Sequence, residues 1–276
     1  MFRPSDIVID AFVSHLRDGF VSAFPAAPGE HLDAIVRATR VGANRIALSD
    51  ALYHDLDHAI LVTRVGQDIL RGKMIRDGRV SSLDWVHFTA ALVLFSIGFC
   101  RDLVPGDDGE SCVISSSGMR LRLPEGSTVG RLWPWFAERG MMFVHHFFAG
   151  DPVLDAGRLS EMIDYARFPP PLDTHPETKS YPGLLRAAHL IGAIADPYFM
   201  QKMKPLTLEL AESGMLQQLG FRNVVEFRAG YPDLYWGTLN PIIKDGTDLL
   251  EYTPPGRVWL ASMRAHLMRE EHLNQL

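Results

Sequence analysis

Apolar residues return every three to four positions over most of this chain, and this period constrains its fold more than any other feature. The first predicted helix begins at Pro4-Ser5-Asp6, and its apolar face carries Ile7, Phe12, Leu16, Phe20 and Phe24. The same period predicts further helices after Pro28, from Asp55 to Asp77, from Ser81 onward, and over residues 130–148, 184–194 and 258–273. It predicts one or two helices over residues 199–219. The period therefore predicts an all-α helical bundle.

One passage departs from the helical period. Residues 119–123, in the order Met-Arg-Leu-Arg-Leu, alternate apolar and basic side chains, and a Ser-Ser-Gly turn precedes them. This alternation predicts a small β-hairpin over residues 112–123. Arg120 and Arg122 would share one face of it. We favour solvated edge charge for this pair over a phosphate or partner contact, because basic residues commonly protect exposed strand edges.

The length of the chain predicts one large domain. With 276 residues and 47% hydrophobic content, it can bury a sizeable core. We therefore expect a single helical domain over residues 1–276, in which Gly98, Gly183 and Gly192 permit close helix packing. The proline-rich segment 168–182 is the longest predicted loop, and a hinge, if the domain has one, is predicted there.

Charge and cysteine content exclude several classes of protein. The net charge of -6 provides no global basic field for nucleic acid or an anionic membrane surface. Two cysteines are too few for a disulfide framework, and no signal pattern opens the chain, so a cytoplasmic protein is predicted. The most apolar run, residues 88–100, has about 13 residues where a membrane span needs roughly 20, and it predicts a buried helix.

The segment Tyr53-His54-Asp55-Leu56-Asp57-His58-Ala59 carries the strongest chemical signal. It places two histidines four residues apart on what reads as one helix face, with two acids between them. A pair with this spacing also arises by chance in many helices. A single histidine on a partly apolar face is more often a core or surface residue than a ligand, so the interpretation depends on the residues further along the chain.

This segment resembles the Tyr-His-Asn-x-x-His-Ala signature of cyclic-nucleotide phosphodiesterases and, more broadly, the first ligand helix of the HD-domain superfamily of metal-dependent phosphohydrolases. The resemblance implies an HD-type helical bundle, with His54 as general acid and His58 as metal ligand. Two later blocks extend it over most of residues 30 to 265. Residues 92–99 resemble the family's Ala-Leu-Leu-Phe-His-Asp-Ile-Gly-Tyr block, and residues 185–192 resemble its Arg-Ala-Ala-Asp-Leu-Ile-Gly block.

On that alignment the ligand set is degenerate. Phe95-Ser96 stands where the family has its His-Asp pair, and His189 stands at the final aspartate. Phenylalanine has no lone pair and a serine hydroxyl is a weak ligand, whereas a hydrolytic divalent cation needs anionic carboxylates. His58 and His189 remain as weak metal ligands at most. We therefore expect no cofactor, or a divalent Zn, Mn, Fe or Mg ion if the chain is an active enzyme.

The resemblance also implies a pocket around these positions. Its predicted lining is Tyr53, Asp57, Phe95, Ser96, Arg101 and His145. With two aspartates replaced, the pocket should favour a small anionic ligand or a nucleotide, increasingly below about pH 6.5 where His54, His58 and His189 can charge. Burial would oppose this charging by lowering their pKa values.

Three functions remain open. The first, which we favour, is a catalytically degenerate HD-domain-like protein that binds such a ligand, or serves as a regulatory or scaffold partner of another protein. The alternative is a metal-dependent phosphohydrolase in which His189 replaces the last aspartate and His145 or Asp57 completes the ligand set. An HD-type diiron oxygenase demands still more ligands and is disfavoured. The sequence does not predict the oligomeric state.

Overall fold

The chain forms a helical bundle with one two-stranded sheet, in a computed structural model that describes residues 3–171 and 173–275. This confirms the prediction of an all-α fold with a small hairpin. The helices are α1 (Pro4–Ala23), α2 (Gly29–Ile46), α3 (Leu56–Asp77), α4 (Ser82–Leu94), α5 (Phe136–Phe147), α6 (Ala156–Asp164), α7 (Tyr181–Ile194), α8 (Phe199–Glu212), α9 (Met215–Gln218), α10 (Val224–Leu234), α11 (Asn240–Leu250) and α12 (Pro254–Asn274). The strands are β1 (Ser111–Val113) and β2 (Arg120–Arg122), and shorter helical turns cover Ile97–Phe99, Val129–Trp135 and Tyr235–Leu239.

Helix α3 begins later than the histidine spacing predicts. The side chain of Asp55 accepts a hydrogen bond from the backbone N–H of His58 at 2.9 Å, so Asp55 caps the helix and Leu56 is its first residue. His54 therefore lies in the bend before α3. The prediction that His54 and His58 share one helix face is wrong in this respect, although their rings still meet.

The helix predicted over residues 130–148 is interrupted, and residues 199–219 form two helices. Residues 129–135 form a 3-10 turn rather than the start of a long helix, because Pro134 lacks a backbone N–H and favours a break. Over residues 199–219, where the sequence predicts one or two helices, α8 and α9 are separated at Gly214, whose φ is 77°. The first of these breaks turns Trp133 and Phe136 towards His54.

The apolar helix α4 is the centre of the bundle. The 18-residue window Ser82–Phe99 is long and apolar enough to cross a membrane, but 83% of it is buried inside the fold. Its N-terminus is capped by Ser81 together with Asp84. The window is thus a core segment of the kind found in soluble proteins, and the cytoplasmic location stays a prediction.

Helices α3 and α7 pack closely enough to bring their histidines together. A Cβ atom added at Gly192 in α7 would lie 2.9 Å from the Cα atom of Val62 in α3. Only glycine permits this approach. The predicted role of Gly192 in close helix packing is therefore confirmed, and the contact lies one helical turn from both His58 and His189.

The hairpin pairs β1 with β2 in antiparallel register, Ser111 opposite Arg122 and Val113 opposite Arg120. Arg122 pairs with Glu110 at 3.0 Å, and Arg120 pairs with Asp108. Both guanidinium groups are thus engaged by neighbouring acids of the hairpin region. This supports the interpretation of the two arginines as edge charge.

The loop before α7 is tied to the bundle in its described part. Arg186 donates hydrogen bonds to the carbonyl oxygens of His175 and Glu177 at 2.8 and 3.1 Å. His175 also contacts Asp164 at 2.7 Å. Residue 172 of the predicted hinge segment lies outside the described residues, and the hinge itself stays a prediction.

Candidate functional site

Three buried histidines meet in the interior. His54 comes from the bend before α3, His58 from the first turn of α3 and His189 from the middle of α7. One ring nitrogen from each lies within 4.8 Å of the other two. The ring centroids are 5.1 Å apart for His54 and His58, 5.8 Å for His58 and His189, and 5.9 Å for His54 and His189. We call these three residues the histidine cluster.

A carboxylate that sequence reasoning did not single out fixes one member of this cluster. Glu209 on α8 is fully buried, and its Oε1 lies 2.5 Å from Nδ1 of His54. Its Oε2 accepts hydrogen bonds from the backbone N–H groups of Tyr53 at 2.8 Å and His54 at 3.3 Å. Glu209 thus holds both the bend and the orientation of the His54 ring. In this contact Nδ1 donates to the Glu209 carboxylate, which leaves Nε2 as the ring nitrogen available to a ligand.

Aromatic rings enclose the cluster. The ring of Phe99 stacks on that of His54 with 4.4 Å between ring centroids, and Trp133 packs edge-on against the same ring at 4.8 Å. The ring centroid of Phe95 lies 4.6 Å from that of His189 and 5.9 Å from that of His58. The ring of Phe95 therefore contributes an apolar wall to the cluster.

Burial keeps two of the histidines neutral. Desolvation, reinforced by the neighbouring histidines, holds the pKa of His58 well below its usual value. Desolvation, followed by the nearby His54, lowers the pKa of His189 to about 3, against an opposing backbone hydrogen bond at Ala166. For these two side chains the opposing effect of burial thus outweighs the expected charging below about pH 6.5. Nε2 of His58 and Nδ1 of His189 also have no hydrogen-bond partner among the described residues.

Tyr53 and Ser96, two of the predicted pocket residues, are both buried. Tyr53 is buried beside the cluster, with its ring 4.7 Å from that of His58. Ser96 is fully buried, and its hydroxyl has no partner in the described chain. Its side chain does not line the cavity that adjoins His54 and His189.

Three predicted pocket residues lie elsewhere. His145 is exposed on α5, where Phe143 and Val144 form the buried side. The side chain of Asp57 is 61% exposed and pairs with Lys202. Arg101 forms an ion pair with Asp50 at 3.0 Å and lines a cleft beside the hairpin. The prediction that these residues share the pocket is wrong.

An apolar cavity of about 70 Å³ adjoins the cluster, between α7, α8 and α10. His54, His189 and Tyr53 lie on its lining, together with the hydroxyl-bearing Tyr231. The remaining lining is apolar: Trp133, Phe168, Leu190, Ala193, Ile194, Phe199, Leu206, Leu210, Leu219, Phe227, Leu234 and Leu239. No lysine, arginine or acid lines it among the residues that the structure describes. We call it the apolar cavity.

Comparison with known proteins places the chain in a family. The Npun_R2479-like family model matches residues 2–273. The chain belongs to the Npun_R2479-like family. Its description names no activity, and the match does not bear on the resemblance to HD domains, which stays a prediction. No curated protein matches the chain.

Proposed function

We propose that the chain is a small-molecule-binding protein on an HD-domain-like helical frame, and that it does not hydrolyse phosphate esters. The observation that carries the proposal is the apolar cavity, a buried space beside unpartnered polar groups. Concave, mostly apolar sites with a few convergent polar groups are typical of small-molecule sites. The ligand would lie between α7 and α10 and direct one polar group towards Tyr53 and His189.

The cavity lining favours an uncharged ligand over the anionic ligand or nucleotide that the sequence predicts. Phosphate recognition needs arginine, lysine or convergent backbone N–H groups, and the lining supplies no guanidinium or ammonium group. His189 remains neutral at physiological pH because of its lowered pKa. Burying a phosphate here without a counter-charge would carry a large desolvation cost.

The polar groups on the cavity define what the ligand should offer. The hydroxyl groups of Tyr53 and Tyr231 are buried without a hydrogen-bond partner in the described chain. Burial raises the pKa of Tyr53 well above its usual value, so this hydroxyl stays protonated and can donate. An apolar molecule with one hydroxyl or carbonyl group would satisfy such a donor. The cavity volume suits a few heavy atoms, or the end of a longer apolar chain.

The donor set argues against phosphoester hydrolysis. The metal pair of a phosphohydrolase needs carboxylates in direct contact with the cations, and none belongs to the histidine cluster. Phe95 lies against His189 on the side where the aligned family carries a histidine ligand. The chain keeps the frame of such a site while its ligands have changed.

The test is ligand binding by calorimetry and thermal shift. Straight-chain alcohols and ketones of about four to eight carbons should bind and raise the melting temperature, more strongly than alkanes of equal length, whereas AMP and inorganic phosphate should not. Ala193→Phe fills the cavity and should abolish binding. Ala261→Phe on the exposed side of α12 is the matched control.

Two results would contradict the proposal. One is nucleotide or phosphate binding that survives Ala193→Phe. The other is alcohol binding that is equal in Ala193→Phe, Ala261→Phe and the unmodified protein, which would show that the alcohols bind outside the cavity.

A further inference from the structure

We infer that the histidine cluster is a binding site for one transition-metal ion of zinc type, ligated by His54, His58 and His189, with Glu209 as the carboxylate that orients His54. The inference does not rest on the proposed function, because it concerns the ion and the cluster alone. It differs from the phosphohydrolase-like ligand set that the sequence predicts in two ways. His54 is a ligand rather than a general acid, and every ligand atom is an imidazole nitrogen.

The spacing of the three nitrogen atoms suits a single ion. Three atoms at most 4.8 Å apart have a common point about 2.8 Å or less from each. Zinc binds histidine nitrogen at about 2.0–2.1 Å, so each nitrogen would move inward by about 0.7 Å. Small rotations of the three rings supply such a shift without moving a helix.

The unpartnered ring nitrogens are the second observation. Nε2 of His58 and Nδ1 of His189 are buried and accept or donate no hydrogen bond in the described chain. A buried polar atom without a partner costs about 1–3 kcal/mol. Both atoms belong to residues that converge on the same point, and a metal ion would supply the missing partner to both at once.

Glu209 supplies the third observation. It is a fully buried carboxylate, and its side-chain hydrogen-bond partner within the described residues is the His54 ring, at 2.5 Å. A buried carboxylate needs a nearby positive charge. A cation bound at Nε2 of His54 would provide that charge through the ring. Carboxylate, histidine and metal in series form the arrangement that fixes the tautomer of zinc-bound histidines in proteins generally.

The choice of ion follows from the donors. Three neutral imidazoles suit zinc and its borderline neighbours, whereas magnesium and calcium require oxygen ligands. The rings of Phe95 and Phe99 beside the cluster offer no hydrogen-bond acceptor to the water shell that magnesium retains. Three protein ligands also leave one coordination position open. Because His54 and His189 line the apolar cavity, that position would face it.

The test is a zinc titration of the untagged, chelator-treated protein against a chromophoric competitor, with metal content measured in parallel. We expect one zinc ion per chain and, with cobalt(II), the strong visible absorption of a four-coordinate site. His58→Ala and His189→Ala should each weaken zinc binding at least a hundredfold. Glu209→Gln should weaken it about 10- to 100-fold. His145→Ala, which removes an exposed histidine, is the control and should change nothing.

Folding is checked separately in the metal-free state. Circular dichroism and melting temperature of each variant, with His58→Gln and His189→Gln as milder substitutions, show whether a lost affinity reflects the ligand or the fold. A purely structural role of Glu209 would lower the melting temperature of the metal-free protein without a specific loss of zinc affinity. Zinc binding that is absent from the unmodified protein, or that persists in His58→Gln and His189→Gln, would overturn the inference.

Discussion

The contact between Gly192 and Val62 sets the distance between α3 and α7, so Gly192→Ala tests how the site is assembled. The added Cβ would lie 2.9 Å from both Cα and Cγ2 of Val62 and 3.2 Å from its backbone nitrogen. Carbon atoms pack best at about 3.5–4.0 Å, so the helices must separate by about 0.5–1 Å. Overpacking costs about 1–3 kcal/mol, and contact with backbone atoms, which cannot rotate away, puts Gly192→Ala in the upper part of that range, at about 2–3 kcal/mol. Alanine recovers about 1 kcal/mol of helix propensity. The expected net loss of unfolding free energy is about 1–2 kcal/mol.

Thermal and urea unfolding measure this loss, which should lower the melting temperature by roughly 2–8 °C for a chain of this size. Gly237→Ala is the matched control, because nothing lies within 4 Å of its added Cβ. Adding Val62→Ala to Gly192→Ala should restore little. It removes Cγ2 but leaves the backbone atoms that meet the new Cβ. The reasoning is refuted if Gly192→Ala melts at or above both the unmodified protein and Gly237→Ala.

Three further outcomes are expected. In the presence of a chelator, the free energy of unfolding measured in urea should decrease as the pH is lowered below about 6.5. His58 and His189 take up protons in the unfolded chain at that pH, whereas in the fold their buried rings do not. A native pKa of about 3 at His189 alone costs about 2 kcal/mol between pH 6.5 and 5, and a flat profile would contradict it. Ser96→Ala should leave the free energy of unfolding in urea unchanged or raise it by up to about 1 kcal/mol, since it removes a buried hydroxyl without a partner. A loss above about 1 kcal/mol would show that the hydroxyl has a partner. The unmodified protein should show no phosphodiesterase or phosphomonoesterase turnover with manganese, magnesium or iron, whereas Phe95→His, Ser96→Asp and His189→Asp together should bind manganese tightly in calorimetry. Chelator-sensitive turnover by the unmodified protein would count against a degenerate site.

Helical periodicity predicted those parts of the site that depend on one helix facing another. His58 and His189 lie on α3 and α7, and both are buried near the interface that Gly192 permits. Once the period and the register of two apolar helices are known, the inward residues of each can be deduced. The hairpin was equally accessible, because side chains that alternate with a period of two around Arg120–Arg122 match a strand and not a helix.

Features set by capping and by helix rotation were harder to predict. Asp55 accepts the first backbone N–H of α3, which puts His54 before the helix, although the Asp at the start of the helical run was a visible capping signal. The resemblance implies a pocket position for His145, on a helix predicted over residues 130–148. In the structure α5 begins only at Phe136, after a 3-10 segment, and His145 lies on its exposed side. Rotation about a helix axis after an interruption is decided by packing with distant residues rather than by local sequence.

Glu209 was missed because its partner is 155 residues away along the chain. The signal was nonetheless present. Leu206 and Leu210 lie three residues before and one residue after it, so Glu209 falls on the apolar side of α8, where an unpaired acid would be costly. An acid in such a position indicates a buried partner, and histidine is the natural candidate in a chain whose motif segment already holds two.

The position of Glu209 also changes how the loss of acids at the cluster is to be understood. The predicted alignment with HD domains, which no comparison tests, puts Ser96 and His189 where two metal-contacting carboxylates would stand, so it implies less negative charge around the proposed ion. Glu209 restores one negative charge on the far side of the His54 ring, 2.5 Å from Nδ1. A charge at that position favours a single cation bound through the ring and offers no bridge between two. This placement of charge fits the proposed mononuclear, imidazole-ligated centre better than it fits the paired cations of phosphoester hydrolysis.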